Sequence, residues 1–483
     1  MSKKLNIINE GGSCSTKPKM NSMSSGAELE ADSFQGRAAV ITLGCAKNQV
    51  DSEVMLGVLK KSGYEIVSDV ARADIAIVNT CGFLQSSVKE SIDCILEVAE
   101  HKQSGQLRKL IVAGCLVERY LADLKKTLPE VDSFITIDDL LKVGEVADGS
   151  VSISLDRAAR PYFLYDERMP REISTGKHTA YIKVSEGCNR PCTFCIIPKL
   201  RGGMRSRTIE SIVSEVKSLS AGGIKEFNLI AQDLTSFGTD RKDGNLSALL
   251  CALDQAGDAR WIRLLYSYPI GIDKELLDTI VESRSIVEYL DLPLQHSSDK
   301  VLKEMKRPLG RYSPRSIVEF IRSTQPSIHL RTTFIVGFPG ETEEDVDDLE
   351  QFILDGHFTN VGIFTYSPEE GTPSALMDKQ IPEGEKKARR ARLMEAQQYV
   401  VQKRAEQYIG QEIEVLVDGP HADTELLISA RARFQAPEVD GTVLINDIQC
   451  GDKAIDPGVI GTVKITETAG YDLVGTLVKI TEE

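Results

Sequence analysis

SEGCNRPCTFCIIP, residues 185–198, places cysteines at 188, 192 and 195. A disulfide needs pairs, and a structural zinc site takes four protein ligands. Three thiols within eight residues suit neither, unless something that is not protein completes the set. Iron–sulfur clusters are held by cysteine thiolates and usually take four. With three, one iron is left open to bind something else. Zinc with three thiolates and a distant fourth ligand is the competing reading, but His101, His178, His296, His329, His357 and His421 all lie away from the stretch.

The stretch follows HTAYIKV, the first strand of a βα series. Later strands are FNLIAQDL (227–234), WIRLLYSYP (261–269), YLDLPLQH (289–296), LRTTFIVGFPGE (330–341) and VGIFTYS (361–367), with amphipathic segments between them. Six βα units are too few for an eightfold barrel, so a partial (βα)6, TIM-like barrel is expected. Its chemistry should lie at the strand C-termini. There Gln232, Asp233, Arg263, Gln295 and Arg331 present polar groups, with ordinary strand capping as the alternative for each.

Upstream, AAVITLGC (38–45), YEIVSD, DIAIVNTC (74–81) and KLIVAGC (109–115) alternate with helical stretches such as NQVDSEVMLGVLKKSG. This predicts a doubly wound parallel sheet. Cys45, Cys81 and Cys115 are read at the last positions of three strands, where ligands of open parallel sheets bind. Buried cysteine is often only a small hydrophobe. The turn-like surroundings GCAKN, NTCGF and AGCLV favour a second three-thiol site. Cys94 and Cys251 fall in apolar helical stretches and read as core, Cys450 as a turn residue.

The expected organisation is a disordered extension over 1–36 (containing Cys14), an N-terminal domain over 37–150, a linker over 151–177, the partial barrel with a polar helix over 178–409, and a small antiparallel β-barrel over 410–483. With 41% hydrophobic and 27% charged residues, the composition is that of a globular protein. No apolar run nears the ~18 residues of a membrane span, and the first twenty residues lack the apolar region of a secretion signal. A cytoplasmic location is expected, where cysteines serve metals or catalysis more than disulfides.

TLGCAKNQVDSE, NTCGF, AGCL, SEGCNRPCTFCIIPKLRG and FIVGFPGE together resemble the methylthiotransferases of the radical S-adenosylmethionine (SAM) superfamily, over residues 37–483. The resemblance implies two 4Fe–4S clusters, one on Cys45, Cys81 and Cys115 and one on Cys188, Cys192 and Cys195, the open iron of the latter chelating SAM. Phe194 matches an aromatic flanking the adenine, and Ile335 and Gly337 match a strand that lets backbone approach it. The small barrel is similar to a TRAM domain. The implied reaction uses one SAM as a radical source and another as methyl donor, with a low-potential electron donor of flavodoxin or ferredoxin type.

Such enzymes modify either a tRNA adenosine or a ribosomal-protein side chain. Residues 410–483 carry 5 Lys plus Arg against 14 Asp plus Glu, a net of −9. That is a poor match for a polyanion, whose phosphates reward basic groups, and suits a basic partner. RFQAPEVDGTVLIN and YDLVG also resemble the branch that methylthiolates an aspartate β-carbon of small-subunit ribosomal protein twelve. Modification of tRNA is the alternative. A noncatalytic iron–sulfur carrier is the rival from another class; it explains six cysteines but not a barrel with polar strand ends.

Overall fold

The computed structural model describes residues 35–151, 161–450 and 455–482. Most of the expected extension over 1–36, Cys14 included, lies outside the described residues. Two compact units result. One holds the chain through Gly176 with Glu186–Arg190 and Ile196–Arg205; the other holds Lys177–Ser185, Pro191–Cys195 and Ser206–Glu483.

The first unit is built on five parallel strands: β1 (Gly36–Thr42), β2 (Tyr64–Ile66), β3 (Ile75–Thr80), β4 (Lys109–Gly114) and β5 (Ser133–Ile135), in the order β2-β1-β3-β4-β5. Helices α1 (Ala46–Lys61), α2 (Gln85–Gln103) and α3 (Cys115–Thr127) connect them, and α4 (Val143–Asp148) follows. With helices on its faces, the sheet has near-continuous apolar strands: β3 is buried throughout. The chain reverses direction across the sheet between β1 and β3, the switch point where such sheets open a crevice. Residues 170–174, expected within the linker, pack on α1. Buried Glu53 takes Arg171 at 2.6 Å and the Ser174 amide at 3.0 Å.

The second unit has six parallel strands, β6 (Thr179–Lys183), β9 (Glu226–Ile230), β10 (Trp261–Leu264), β11 (Ile286–Asp291), β12 (His329–Val336) and β13 (Asn360–Thr365), in an open sheet. The two-residue strands β7 (Ser185–Glu186) and β8 (Arg205–Ser206) and the short helix α5 (Ile197–Leu200) fall between β6 and β9. Helices α6 (Ile209–Ala221), α7 (Leu246–Ala256), α8 (Lys274–Glu282), α9 (Asp299–Glu304), α10 (Pro314–Thr324) and α11 (Glu343–Leu354) supply the crossovers, and α12 (Glu383–Glu406) follows. Along β12 the period of two is plain. Phe334 packs edge-on to Phe358 and near Phe352 on the helical side, while Arg331, Thr333 and Ile335 are half-buried on the other face.

Strands β14 (Glu412–His421), β15 (Thr424–Ala432), β16 (Val443–Ile448), β17 (Ile460–Ala469) and β18 (Asp472–Glu482) close into a barrel. It is not wholly antiparallel as expected, because β16 and β18 run parallel. Five strands closed on themselves cannot alternate direction all the way round. This barrel packs against the six-stranded sheet through buried ion pairs. Arg431 and Arg263 share Glu226 at 2.7 and 3.0 Å, and Arg431 also holds Asp418 at 2.9 Å. Tyr289 donates its hydroxyl to Asp440 at 2.7 Å. His329, Phe434 and Tyr408 stack in series, with ring centroids 4.8 and 4.9 Å apart.

Candidate iron–sulfur sites

None of the described cysteines is in a disulfide. Cys45, Cys81 and Cys115 stand just past the strand ends rather than on them. Cys45 caps α1 three residues after β1, Cys81 follows β3 directly, and Cys115 opens α3 after β4. Pairing of Thr42 with Asn79 and of Thr80 with Gly114 holds the three strand ends level. The approach is close: a Cβ on Gly44 would sit 2.8 Å from the Cys81 Cβ, and one on Gly82 would sit 2.7 Å from the Cys115 carbonyl oxygen. The three thiols are near enough that charge on one raises the pKa of the next.

The quoted TLGCAKNQVDSE motif becomes legible here. Asn48 donates to the carbonyls of Leu43 (2.8 Å) and Thr80 (3.0 Å), tying α1 to the ends of β1 and β3. Its own Oδ1 accepts from Arg201. Arg201 also donates to the Cys115 sulfur at 3.3 Å and to Asp51 at 2.7 Å. Sequence reasoning gave no role to Asn48, Asp51 or Arg201, although the quoted motifs contain all three. Burial pushes the Cys115 thiol up to about 12, opposed in part by Arg201, and raises the Cys81 thiol as well. A coordinating thiol is deprotonated by its metal, so these groups are suited to metal ligation rather than to acting as free nucleophiles.

Cys188, Cys192 and Cys195 follow β6 and β7 on one loop and are each half-buried. The Arg190 amide donates to the Cys188 sulfur at 3.4 Å. Arg307 donates to the Cys192 sulfur at 3.8 Å while its guanidinium lies 4.1 Å over the Tyr268 ring. Thr193 is anchored to Glu304 and Met305 carbonyls. Among the described residues, no three His, Cys, Asp or Glu side chains are placed to hold a single metal ion. In a cluster the thiolates bind separate irons, and N–H donors directed at sulfur are among the features that tune it.

Beside this loop Phe194 and Ile335 pack against one apolar cluster of Val301, Met305, Phe338 and Tyr366. Gln295 is half-buried after β11 with φ +78°, a left-handed conformation rare for a residue with a side chain and typical of functional sites. Its carbonyl accepts the Ile335 amide at 2.7 Å. Tyr266, after β10, shares the positive φ. Gln232 is half-buried two residues past β9.

Other expected contacts have different surroundings. Asp233 accepts the Thr235 and Ser236 hydroxyls of its own turn. Arg263 lies within β10 and not at its mouth; its guanidinium is taken up by Glu226 and the Arg433 carbonyl. Arg331 sits at the third residue of β12, four residues or about 13 Å of strand before Ile335, and pairs with Asp291 at 3.0 Å and Asp440 at 3.4 Å. Gly337, at φ +77°, makes room for Lys386, whose Cγ would lie 2.3 Å from an added Cβ. Cys251 is exposed rather than core.

Three family models match the chain: uncharacterized protein family UPF0004 over residues 37–136, the radical SAM superfamily over 182–353, and the TRAM domain over 409–478. Among solved structures the chain is similar to the radical SAM methyltransferase TsrM of Kitasatospora setae, at 15% identity and TM-score 0.50, covering 70% of this chain and 77% of that one. This likeness concerns the fold. The chain is 46% identical to the ribosomal protein uS12 methylthiotransferase RimO of Syntrophotalea carbinolica, over 94% of this chain and all of that protein. Its counterpart in Geobacter sulfurreducens is 44% identical, over 92% of this chain and 98% of that protein. Related over nearly its whole length to proteins of this one kind, the chain belongs to the RimO family of radical SAM methylthiotransferases.

Proposed function

We propose that this enzyme binds two 4Fe–4S clusters, on Cys45, Cys81 and Cys115 and on Cys188, Cys192 and Cys195. It uses them with SAM to methylthiolate the β-carbon of an aspartate in ribosomal protein uS12. The observation that carries the cluster reading is the pair of three-thiol sets, each at the carboxyl edge of a parallel sheet and each with an arginine directed at one sulfur. The substrate follows from the relatives' names and from the net −9 of residues 410–483, which suits a basic ribosomal protein better than tRNA. When bound, the loop cluster supplies the electron that cleaves SAM and the other supplies the sulfur to be transferred.

The protein's own part is positioning and exclusion of water. Phe194 and Ile335 offer apolar faces to the nucleobase, with backbone near Gly337 alongside. The strained Gln295 and the half-buried Gln232 would offer their amides to SAM. Arg263 and Arg331 serve the fold through Glu226, Asp291 and Asp440, and Asp233 shapes its own turn. No side chain needs to remove the proton, since an unactivated carbon lies beyond the pKa range that acid–base groups reach. A flavodoxin- or ferredoxin-like donor supplies electrons, and the enzyme works in the cytoplasm with its ribosomal substrate. Among the described residues no helix is long and apolar enough to cross a membrane. Mass spectrometry of uS12 and of tRNA, from cells lacking and regaining this chain, tests the reading. Loss of the methylthio group from uS12 is expected. Loss from tRNA with uS12 unchanged would sink it.

A further inference from the structure

Arg201 lies six residues after Cys195, and its side chain is only 2% exposed. Nε donates to the Cys115 sulfur at 3.3 Å, Nη1 to Asp51 at 2.7 Å and to Glu186 at 3.3 Å, and Nη2 to Asn48 Oδ1. Both carboxylates are buried. A guanidinium stays charged in proteins, and here both buried carboxylates lie against it. Gathering three buried charges is costly unless each is well matched. A clamp between α1 and residues 196–205 would need only Asn48 and the carboxylates. Nε is instead directed at sulfur, a weak acceptor as a thiol and a far better one as a thiolate.

We propose that Arg201 is a positioning residue that sets the reduction potential of the cluster on Cys45, Cys81 and Cys115 by donating to the Cys115 sulfur. The inference rests on the two-cluster reading above. Hydrogen bonds to ligand sulfur and local net charge are among the levers that move cluster potentials. A donor withdraws electron density from the thiolate and favours the reduced state. The reaction gives that a purpose. Joining a methylthiolate to a carbon radical, R• + CH3S− → R–SCH3 + e−, releases one electron, and Arg201 favours its acceptance at the sulfur-bearing cluster. Asp51 and Glu186 orient the guanidinium and limit its field, leaving the directed N–H as the main influence.

The test uses the full chain carrying Cys188→Ala, Cys192→Ala and Cys195→Ala, reconstituted anaerobically so that only this cluster can form. Iron is counted and the potential is read by redox titration followed by electron paramagnetic resonance. Arg201→Gln is expected to move the reduction equilibrium at least tenfold toward the oxidised form, about 59 mV for one electron. Arg201→Lys, which keeps charge without the planar fork, is expected to fall between. Loss of iron from Arg201→Gln with Arg201→Lys loaded at a lowered potential also supports the inference. Full iron with an unchanged potential in both variants overturns it, and so does loss of iron from both, which makes Arg201 a structural clamp. Absence of iron with Arg201 intact overturns the two-cluster reading itself.

Discussion

At Asn48 one amide serves two carbonyls at the ends of β1 and β3 and one arginine. Replacing it by Ala leaves those buried groups unmet, at about 1–3 kcal/mol for each that water cannot reach. Asn48→Ala should melt several degrees lower and lose the iron of the first thiol set, from about eight atoms per chain to about four. Retention of all the iron would show that Asn48 has no hold on that site. The cysteines allow a cleaner separation. Removing Cys188, Cys192 and Cys195 should halve the iron and abolish SAM cleavage. Removing Cys45, Cys81 and Cys115 should halve it and leave cleavage uncoupled from substrate. If that second variant keeps its full iron, the three are core residues.

Among the elements, the β4–α3 junction depends on a glycine. Gly114 has φ +95°, and a Cβ there would lie 2.4 Å from Asn79 Oδ1 and 2.5 Å from the Thr80 carbonyl oxygen. Both are held in the sheet, so Gly114→Ala must push the junction, and Cys115 with it, away from Cys81. Expected is a chain that keeps SAM cleavage but binds about half the iron, read by iron analysis beside a cleavage assay; unchanged iron would mean that the junction yields elsewhere. The start of α11 is fixed by a capping box, in which the Thr342 amide donates to the Asp345 carboxylate. The barrel strands were read too long at their C-termini: β9 stops at Ile230, with Gln232 and Asp233 beyond it. Apolar runs continue into the loops because those loops are themselves buried.

For the molecule as a whole, Glu226 joins the six-stranded sheet to the closed barrel. Burial alone would raise its carboxyl, but Arg431 and Arg263 outweigh that and bring it from 4.5 to about 2. A depressed carboxyl stabilises the fold above its unfolded value, and that contribution is lost as pH falls from 4.5 toward 2. At ~1.4 kcal/mol per pH unit this is on the order of 3 kcal/mol. Glu226→Gln should therefore be less stable at pH 7 and show a flatter dependence between pH 4.5 and 2 in denaturant titrations; equal slopes would rule Glu226 out as the group responsible. Deleting residues 410–483 should cost more than the loss of a substrate arm. It strips Arg431 from Glu226 and Asp440 from Tyr289 and Arg331, so a poorly soluble barrel is expected, and a stable, monomeric truncated chain would contradict the buried network.

Periodicity and cysteine spacing determined the three-part architecture, the parallel sheets and which cysteines could act together, because each is set by neighbours in sequence or by the repeat of one element. The roles of Arg263 and Arg331 could not be read that way. A polar residue on a strand looks the same in sequence whether it faces a ligand or a buried carboxylate, and here Glu226 and Asp440 come from segments 37 and 109 residues distant. Nor could the partnership of Arg201 with Cys115, separated by 86 residues, be foreseen. Such pairings depend on which distant segments meet when each unit folds, and only tertiary structure decides that.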